Sequence, residues 1–251
     1  MRSFAVALLL IGLVLTGTGY GTWAVYQDTE TSTGNSVQAG TFDLYLTDTT
    51  TSADAQWTLY NAYPGINVQE EGDIRIYNNG SVEADHIEIV FELKCYEDNN
   101  GNLVDGQIAG PESDTNLTGI GEWLKEILVL SMKYSESPSN SNPTLNLVYI
   151  DLSGYHYDGT YLTDIDGDGY ITLYDLSKQV IRGLYAPPAL NGGAPDGTHY
   201  TTFQMALQVR EMGYPQNDWQ GDVCELIVHV GMAQDSSQTV LSPGGVQVIL
   251  P

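Results

Sequence analysis

The stretch His86-Ile87-Glu88-Ile89-Val90-Phe91-Glu92-Leu93-Lys94-Cys95 alternates apolar and mainly polar residues over its whole length. In a β-strand, successive side chains point to opposite faces, so this alternation is typical of a strand with one face in a core. The core face would carry Ile87, Ile89, Phe91, Leu93 and Cys95, and the outward face His86, Glu88, Val90, Glu92 and Lys94. The pattern predicts a long strand of a packed sheet.

A second stretch, Asp222–Met232, has the same pattern and also contains a cysteine. Its core face would carry Cys224, Leu226, Val228, Val230 and Met232. Cys95 and Cys224 both fall on apolar faces near strand ends, and in an oxidising exterior this favours an intramolecular disulfide between them. Two buried free thiols are the alternative, because free cysteine packs as a small hydrophobe. His86 and His229 fall on outward faces, where we expect solvated histidines.

Short alternating segments, separated by Gly and Asn/Asp turns, recur along the chain and favour a sandwich or barrel. Besides His86–Cys95 and Val223–Met232, the candidate strands are Thr41–Leu46, Gln56–Leu59, Asp73–Tyr77, Ile127–Tyr134, Leu145–Ile150, Thr201–Met212 and Gly245–Leu250. The alternation in Ile127–Tyr134 places Leu128, Leu130, Met132 and Tyr134 on one face. The sequence therefore predicts an all-β, antiparallel sandwich.

Two short segments have helical character instead. Gly121–Glu126 precedes a strand, and Leu176–Leu184 repeats apolar residues at helical spacing before Pro187 and Pro188 stop it. We expect the second helix to belong to an insertion at about residues 151–198 of a sandwich domain that spans residues 41–251.

The composition is strongly acidic, with 8 Lys and Arg against 32 Asp and Glu and a formal net charge of −24. This balance argues against nucleic acid and anionic membrane surfaces as partners. It also makes self-association costly unless divalent cations neutralise part of the charge.

The strongest chemical motif is DIDGDGYITLYD, which spans Asp164–Asp175. It matches the calcium-loop pattern D-x-D-x-D-G, with Asp in place of the usual Glu at the last ligand position. Calcium takes about six to eight oxygen ligands, and carboxylates at alternate positions of such a loop point at one centre. The predicted ligands are Asp164, Asp166, Asp168, the Tyr170 carbonyl, Thr172 and Asp175. The motif resembles one half of a dockerin, which carries two such repeats. An acidic surface turn is the alternative.

A weaker loop follows the strand His86–Cys95. Its oxygen-bearing side chains are Asp98, Asn100, Asn102 and Asp105, which either ligate calcium or form a long hairpin turn. Asn79 and Asn116 begin N-glycosylation sequons, and Asn116 is the better candidate because its surroundings are polar.

The chain opens like a cleavable secretory leader. Arg2 precedes an apolar run from Phe4 to about Leu15, shorter than the roughly 20 residues that span a bilayer. Cleavage after Ala24 by a signal peptidase would free Val25 and leave no stable membrane span. A retained anchor is the alternative.

Two blocks resemble a known family. GTWAVYQDTETSTGNSVQAGTFDL, residues 21–44, is similar to the start of TasA/camelysin-type proteins, whose leaders are cut by a SipW-type peptidase. The order of Pro64-Gly65, a strand, the turn Asn78-Asn79-Gly80-Ser81 and a second strand is similar too. The resemblance, which extends to archaeal TasA-like bundling-pilus and cannula subunits, implies a jelly-roll sandwich that polymerises outside the cell by donating an N-terminal strand.

Catalytic constellations are poor: the four histidines are dispersed, and the chain has no H-E-x-x-H zinc pair, G-x-S-x-G elbow or P-loop. We therefore expect no enzyme, although a secreted hydrolase with paired carboxylates is a rival hypothesis.

The function that we predict is a secreted, calcium-stabilised filament subunit that assembles head to tail with copies of itself. The donor would be the segment 25–40, and above all Val25, Tyr26, Gln27, Asp28, Thr29, Glu30, Thr31 and Ser32, which shows no obvious partner in its own sheet. A strand that pairs within its own chain and an unpaired flexible tail are the alternatives for this segment. A dockerin-like or adhesin-type calcium-dependent binding module is the alternative function.

Overall fold

The structure, a computed structural model, describes residues 27–31, 44–48, 70–96, 119–137, 142–192, 197–214, 216 and 223–249. Within these ranges the chain forms eleven strands and two short helices. The strands are β1 Gln27–Thr31, β2 Leu44–Asp48, β3 Glu70–Asn78, β4 His86–Tyr96, β5 Ile127–Glu136, β6 Leu145–Asp151, β7 Gly154–Tyr157, β8 Ile181–Tyr185, β9 Thr201–Val209, β10 Val223–Ala233 and β11 Gly245–Ile249. The helices are α1 Ile120–Glu126 and α2 Leu173–Ser177.

One sheet is built around the antiparallel pair β4 and β10, which are aligned over their full length, from Tyr96 opposite Val223 to His86 opposite Ala233. Strand β1 pairs with the other side of β10. The free side of β4 is shared, because β8 pairs with its beginning and β11 runs parallel to its end. This gives five strands in the order β1-β10-β4-β11, with β8 also on β4.

The second sheet has six strands in the order β2-β3-β9-β5-β6-β7, all neighbours antiparallel. The two sheets enclose one apolar core. The rings of Phe91 and Phe203 meet across it with centroids 6.0 Å apart, and the Tyr134 hydroxyl donates to the Tyr185 carbonyl at 2.8 Å. The predicted all-β sandwich is therefore confirmed. Jelly-roll connectivity stays a prediction.

The two strands that decide the fold have the predicted faces, and the predicted disulfide is present. Cys95 and Cys224 are register partners on β4 and β10, with Cα atoms 4.1 Å apart. Cys95 is fully buried. Because the cysteines are 129 residues apart in sequence, the bond closes a long loop and restricts the unfolded chain strongly.

The second predicted helix, Leu176–Leu184, is wrong beyond its first residues. Helix α2 ends at Ser177, and Ile181–Tyr185 is strand β8 on the edge of β4. The β-branched Ile181 and the aromatic Tyr185 are residue types that favour a strand. Leu184 lies opposite Ile87 and Arg182 lies opposite Glu88, so Gly183, with φ of 80°, is an extra residue in a bulge. The apolar spacing that suggested a helix is therefore that of a bulged strand.

The predicted core face of β5 is also partly wrong. Val129 lies opposite Leu207 and Ser131 opposite Ala206, so Leu130 is an extra residue in a bulge. An extra residue inverts the alternation. The core therefore receives Ile127 and Val129 before the bulge and Met132 and Tyr134 after it.

The amino-terminal segment has a partner in its own sheet, which corrects the expectation that it has none. Gln27–Thr31 pairs antiparallel with β10, from Gln27 opposite Ala233 to Thr31 opposite His229. Strand β7 is absent from the candidate strands, and the candidate strand 56–59 lies outside the described residues.

His86 is not solvated as predicted, because the outward face of β4 is covered. His86 is 4% exposed and Glu88 is fully buried. The main-chain N–H groups of Val240 and Leu241 donate to Glu88, so the segment after β10 lies over this face. His229 is half-buried beside Glu92, with 2.8 Å between Nε2 and Oε2.

Replacing both cysteines, Cys95→Ala with Cys224→Ala, should lower the free energy of unfolding by about 4 kcal/mol, since the long loop is no longer closed in the unfolded chain. Urea unfolding followed by fluorescence measures this. The wild-type protein in reductant is the matched control and should behave like the variant. A loss below about 1 kcal/mol would contradict the stabilising role of the bond.

Candidate metal centre

The acidic loop lies between β7 and β8 and ends in α2. Gly167 and Gly169 have φ of 78° and 87°. These left-handed conformations suit glycine and let the main chain turn back on itself twice within a few residues. The loop that the sequence motif predicts is therefore formed.

Three carboxylates converge in this loop. One oxygen from each of Asp164, Asp166 and Asp168 lies within 4.8 Å of the others. The main chain wraps around Asp164, whose two oxygens accept hydrogen bonds from the N–H groups of Gly167 at 2.7 Å and Gly169 at 2.8 Å. A second turn forms where the Tyr170 N–H donates to Asp168 at 2.9 Å. Such a cluster offers hard oxygen ligands to one cation.

Two other predicted ligands make a helix cap. The N–H and the hydroxyl of Thr172 donate to one oxygen of Asp175 at 2.8 and 2.7 Å, and the Ile165 N–H donates to the other at 2.8 Å. Asp175 is thus the third residue of α2 in a capping box, which satisfies donors at the helix start. Thr172 and Asp175 are both buried, and their contacts fasten the end of the loop to its beginning.

The electrostatics of the loop separate two of its carboxylates. Burial acts to raise the pKa of Asp164, but hydrogen bonds from the N–H groups of Gly169 and Gly167 outweigh it, and the pKa lies below its ordinary value. Burial, together with the negative charges of Asp168 and Asp175, raises the pKa of Asp166. The surroundings of Asp166 therefore favour its ionised form less than water does.

Two cationic side chains from other elements face the loop, and sequence reasoning did not identify them. Lys125 of α1 places its Nζ 3.7 Å from Asp166, and Arg210 places its Nη1 2.5 Å from Asp168. The Arg210 guanidinium also stacks over the Tyr170 ring at 4.2 Å. Both are far from the loop in sequence, so only the folded chain brings them there.

Tyr155 of β7 connects the loop to the second sheet. Its hydroxyl donates to the Val129 carbonyl at 2.9 Å and accepts from the Ile171 N–H at 3.1 Å. The Val129 N–H donates to the Ile171 carbonyl at 2.9 Å. The Tyr155 ring also packs against the Tyr170 ring, with centroids 4.9 Å apart. The loop is therefore attached to β5 and β7 through main-chain bonds and one tyrosine.

The remaining predicted sites fall mostly outside the described residues. These are the weaker loop (Asp98, Asn100, Asn102 and Asp105), Asn116, and the cleavage site at Ala24 and Val25. Asn79 is half-buried, and its carbonyl accepts from the Gly192 N–H at 2.9 Å, so the turn is packed against another segment.

One trio has the composition of a catalytic triad without its geometry. Ser153, His156 and Asp151 meet at the β6–β7 turn. Both Ser153 Oγ and Asp151 Oδ1 approach the same ring nitrogen, Nε2, at 2.8 and 3.2 Å. A Ser-His-Asp relay needs the carboxylate on Nδ1 and the hydroxyl on Nε2. This trio therefore reads as a polar turn.

No model of a known protein family matches the chain, and no curated protein sequence matches it either. Among the described residues, no helix has both the length and the apolar character to cross a membrane.

Replacing Tyr155 with Phe should lower the free energy of unfolding by about 1–2 kcal/mol, because two buried main-chain groups lose a hydrogen-bond partner. Tyr149→Phe is the matched control, since Tyr149 is 39% exposed and lies on the neighbouring strand. Chemical denaturation compares the two variants, and equal stabilities would show that Tyr155 does not hold the loop.

Proposed function

We propose that this chain is a secreted structural subunit that polymerises into extracellular filaments by strand donation and is stabilised by calcium at Asp164–Asp175. The observation that carries the proposal is the position of β1. It is an edge strand, it pairs only with β10 among the described strands, and it follows the expected cleavage site after Ala24 within a few residues.

The edge of β10 supports donation between copies. Strand β1 lies opposite Ala233 to His229, and β10 itself extends further, to Val223. Exposed strand edges readily accept an extended chain, which gains main-chain hydrogen bonds along its length. A donor that continued past Thr31 in the same register would reach Val223 at Val37. When each copy donates its β1 to the next copy, the contact is head-to-tail, and it propagates as a filament where the rotation between copies does not close a ring.

Calcium fits the acidic loop chemically. Three converging carboxylates, each of which accepts a hydrogen bond from a main-chain N–H group of the loop, present oxygen ligands in a preformed turn. The raised pKa of Asp166, which burial and its acidic neighbours cause, is what a divalent cation would reverse. A bound cation would also offset part of the net charge of −24 that opposes assembly.

A dockerin-like or adhesin-type binding module is the second candidate. The support for it is that the loop lies at the surface, with Ile165 41% exposed between the first two carboxylates. Such a module would form calcium-dependent complexes of fixed stoichiometry with a partner, whereas a filament subunit forms open polymers of itself.

Strand donation is tested by placing cysteines at register partners in separate chains. Thr31 lies opposite His229, so chains with Thr31→Cys and chains with His229→Cys should cross-link to each other when processed at Val25, mixed and oxidised. Non-reducing electrophoresis detects the covalent pair, and the double variant should give a ladder. Glu225→Cys lies further along the same face of β10 and is the matched control, which should not cross-link. A double variant that cross-links only within single chains would contradict donation.

Calcium binding is tested by titration calorimetry with calcium chloride. The wild-type protein should bind calcium, and Asp164→Asn combined with Asp168→Asn should weaken binding at least about tenfold, because two charged ligands are lost. Asp158→Asn is the control, because Asp158 lies outside the cluster. An asparagine there can still accept the hydrogen bond from the Thr160 N–H. Equal binding by the wild type and the double variant would rule out this site.

A further inference from the structure

The outward face of β4 and its neighbour β10 form a second buried layer on the outside of the sandwich. We call it the outer groove, and its floor comprises His86, Glu88, Val90 and Glu92 of β4 and Gly231 of β10. In this layer Glu88 is fully buried and Val90 is 2% exposed. Residues 234–249, which follow β10 and end with β11, cover the groove.

Glu88 binds the covering segment through its main chain. Its Oε2 accepts hydrogen bonds from two consecutive N–H groups, Val240 at 3.0 Å and Leu241 at 2.7 Å. The Arg182 side chain of β8 forms an ion pair with Oε1 at 2.5 Å. A buried carboxylate is stable only when charges and donors compensate it. Because the two N–H groups supply much of that compensation, Glu88 and the segment depend on each other.

The glycines in the groove fit the segment sterically. Gly231 is the register partner of Glu88. A Cβ at this position would lie 2.6 Å from Val240 Cγ2 and 2.9 Å from Leu241 Cγ. Gly244 passes equally close to β4, where a Cβ would lie 2.5 Å from the Phe91 carbonyl oxygen. Only glycine, which has no Cβ, allows the covering segment and the sheet to approach this closely at Gly231 and at Gly244.

A second carboxylate holds the end of the segment. Glu92 accepts from the Gln247 side chain of β11 at 2.8 Å. Strand β11 then pairs in parallel with β4, from Gly245 opposite Glu92 to Ile249 opposite Tyr96. Without β11, this part of β4 would present unpaired N–H and C=O groups, which is a template for pairing with another chain.

We propose that the outer groove is a docking site for a chain segment, with Glu88 as the residue that receives its main chain. We further propose that its occupation by residues 234–249 protects the end of β4 from pairing with a second copy of the protein. Nothing in this depends on calcium or on donation of β1. It gives the buried carboxylate a role in deciding which edge of the sheet is available for assembly.

Two variants test the docking from opposite sides of the contact. Glu88→Gln removes the charge that binds the Val240 and Leu241 N–H groups, and Gly231→Ala inserts a methyl group under their side chains. Gly159→Ala is the matched control, because a Cβ there meets nothing within 4 Å. Hydrogen exchange measured by mass spectrometry should be faster in residues 240–249 by roughly tenfold or more in both variants. Exchange in β9 should not change.

Self-association through β4 is measured on Thr31→Cys, His229→Cys protein that is oxidised at high dilution, where closure within one chain is favoured over cross-linking between chains. The internally cross-linked monomer is then purified, so that strand donation is removed from the experiment. Light scattering after size exclusion should then show dimers and larger species that grow with concentration for Glu88→Gln and Gly231→Ala. The Gly159→Ala protein should remain monomeric. Unchanged exchange, an equal increase of exchange in β9, or local opening without association would each overturn the proposal.

Discussion

The antiparallel pairing of β4 with β10 is the interaction on which the rest of the structure depends. It aligns the two most regular apolar faces of the chain over their whole length, and the Cys95–Cys224 bond closes one end of the pair. One face of the pair forms half of the sandwich core, and the other face is the floor of the outer groove. Every other strand of this sheet pairs directly with one of the two, with β1 on β10 and β8 and β11 on β4.

The two edges of this pair differ in a way that matters for assembly. The β4 edge is filled along most of its length by β8 and β11. The buried Glu88 binds the segment before β11, and the half-buried Glu92 binds Gln247 of β11. The β10 edge is covered along half its length by a short strand near the amino terminus. In the proposed filament, the β4 edge is closed by the chain's own residues and the β10 edge takes a strand from a neighbour. The filament would therefore grow in one direction. The acidic loop is attached to the opposite sheet through Tyr155 and Ile171. Calcium there would order the second sheet and reduce net repulsion without touching the proposed donor edge.

The sequence predicted what local patterns specify. Strict alternation gave β4, β10, their core faces and the cysteine pair, and the D-x-D-x-D-G spacing gave the convergence of Asp164, Asp166 and Asp168. What it missed depends on contacts between distant segments. Residues 181–185 have a spacing that suits a helix as well as a bulged strand, and only the free edge of β4 decides between them. The bulge at Leu130 is set by pairing with β9. The alternation predicts that Glu88 is exposed. In the fold it is covered by Val240 and Leu241, which follow it by about 150 residues in the sequence. Arg210 forms an ion pair with Asp168 across a separation of 42 residues, and no local sequence pattern predicts this contact.

Negative-stain electron microscopy of the chain beginning at Val25, with calcium and with chelator, tests the proposed function most directly. Strand donation with a calcium-filled loop predicts regular filaments or tubes in calcium and their loss or shortening in chelator. Monomers in both conditions would contradict a polymerising subunit and would favour a calcium-stabilised binding module.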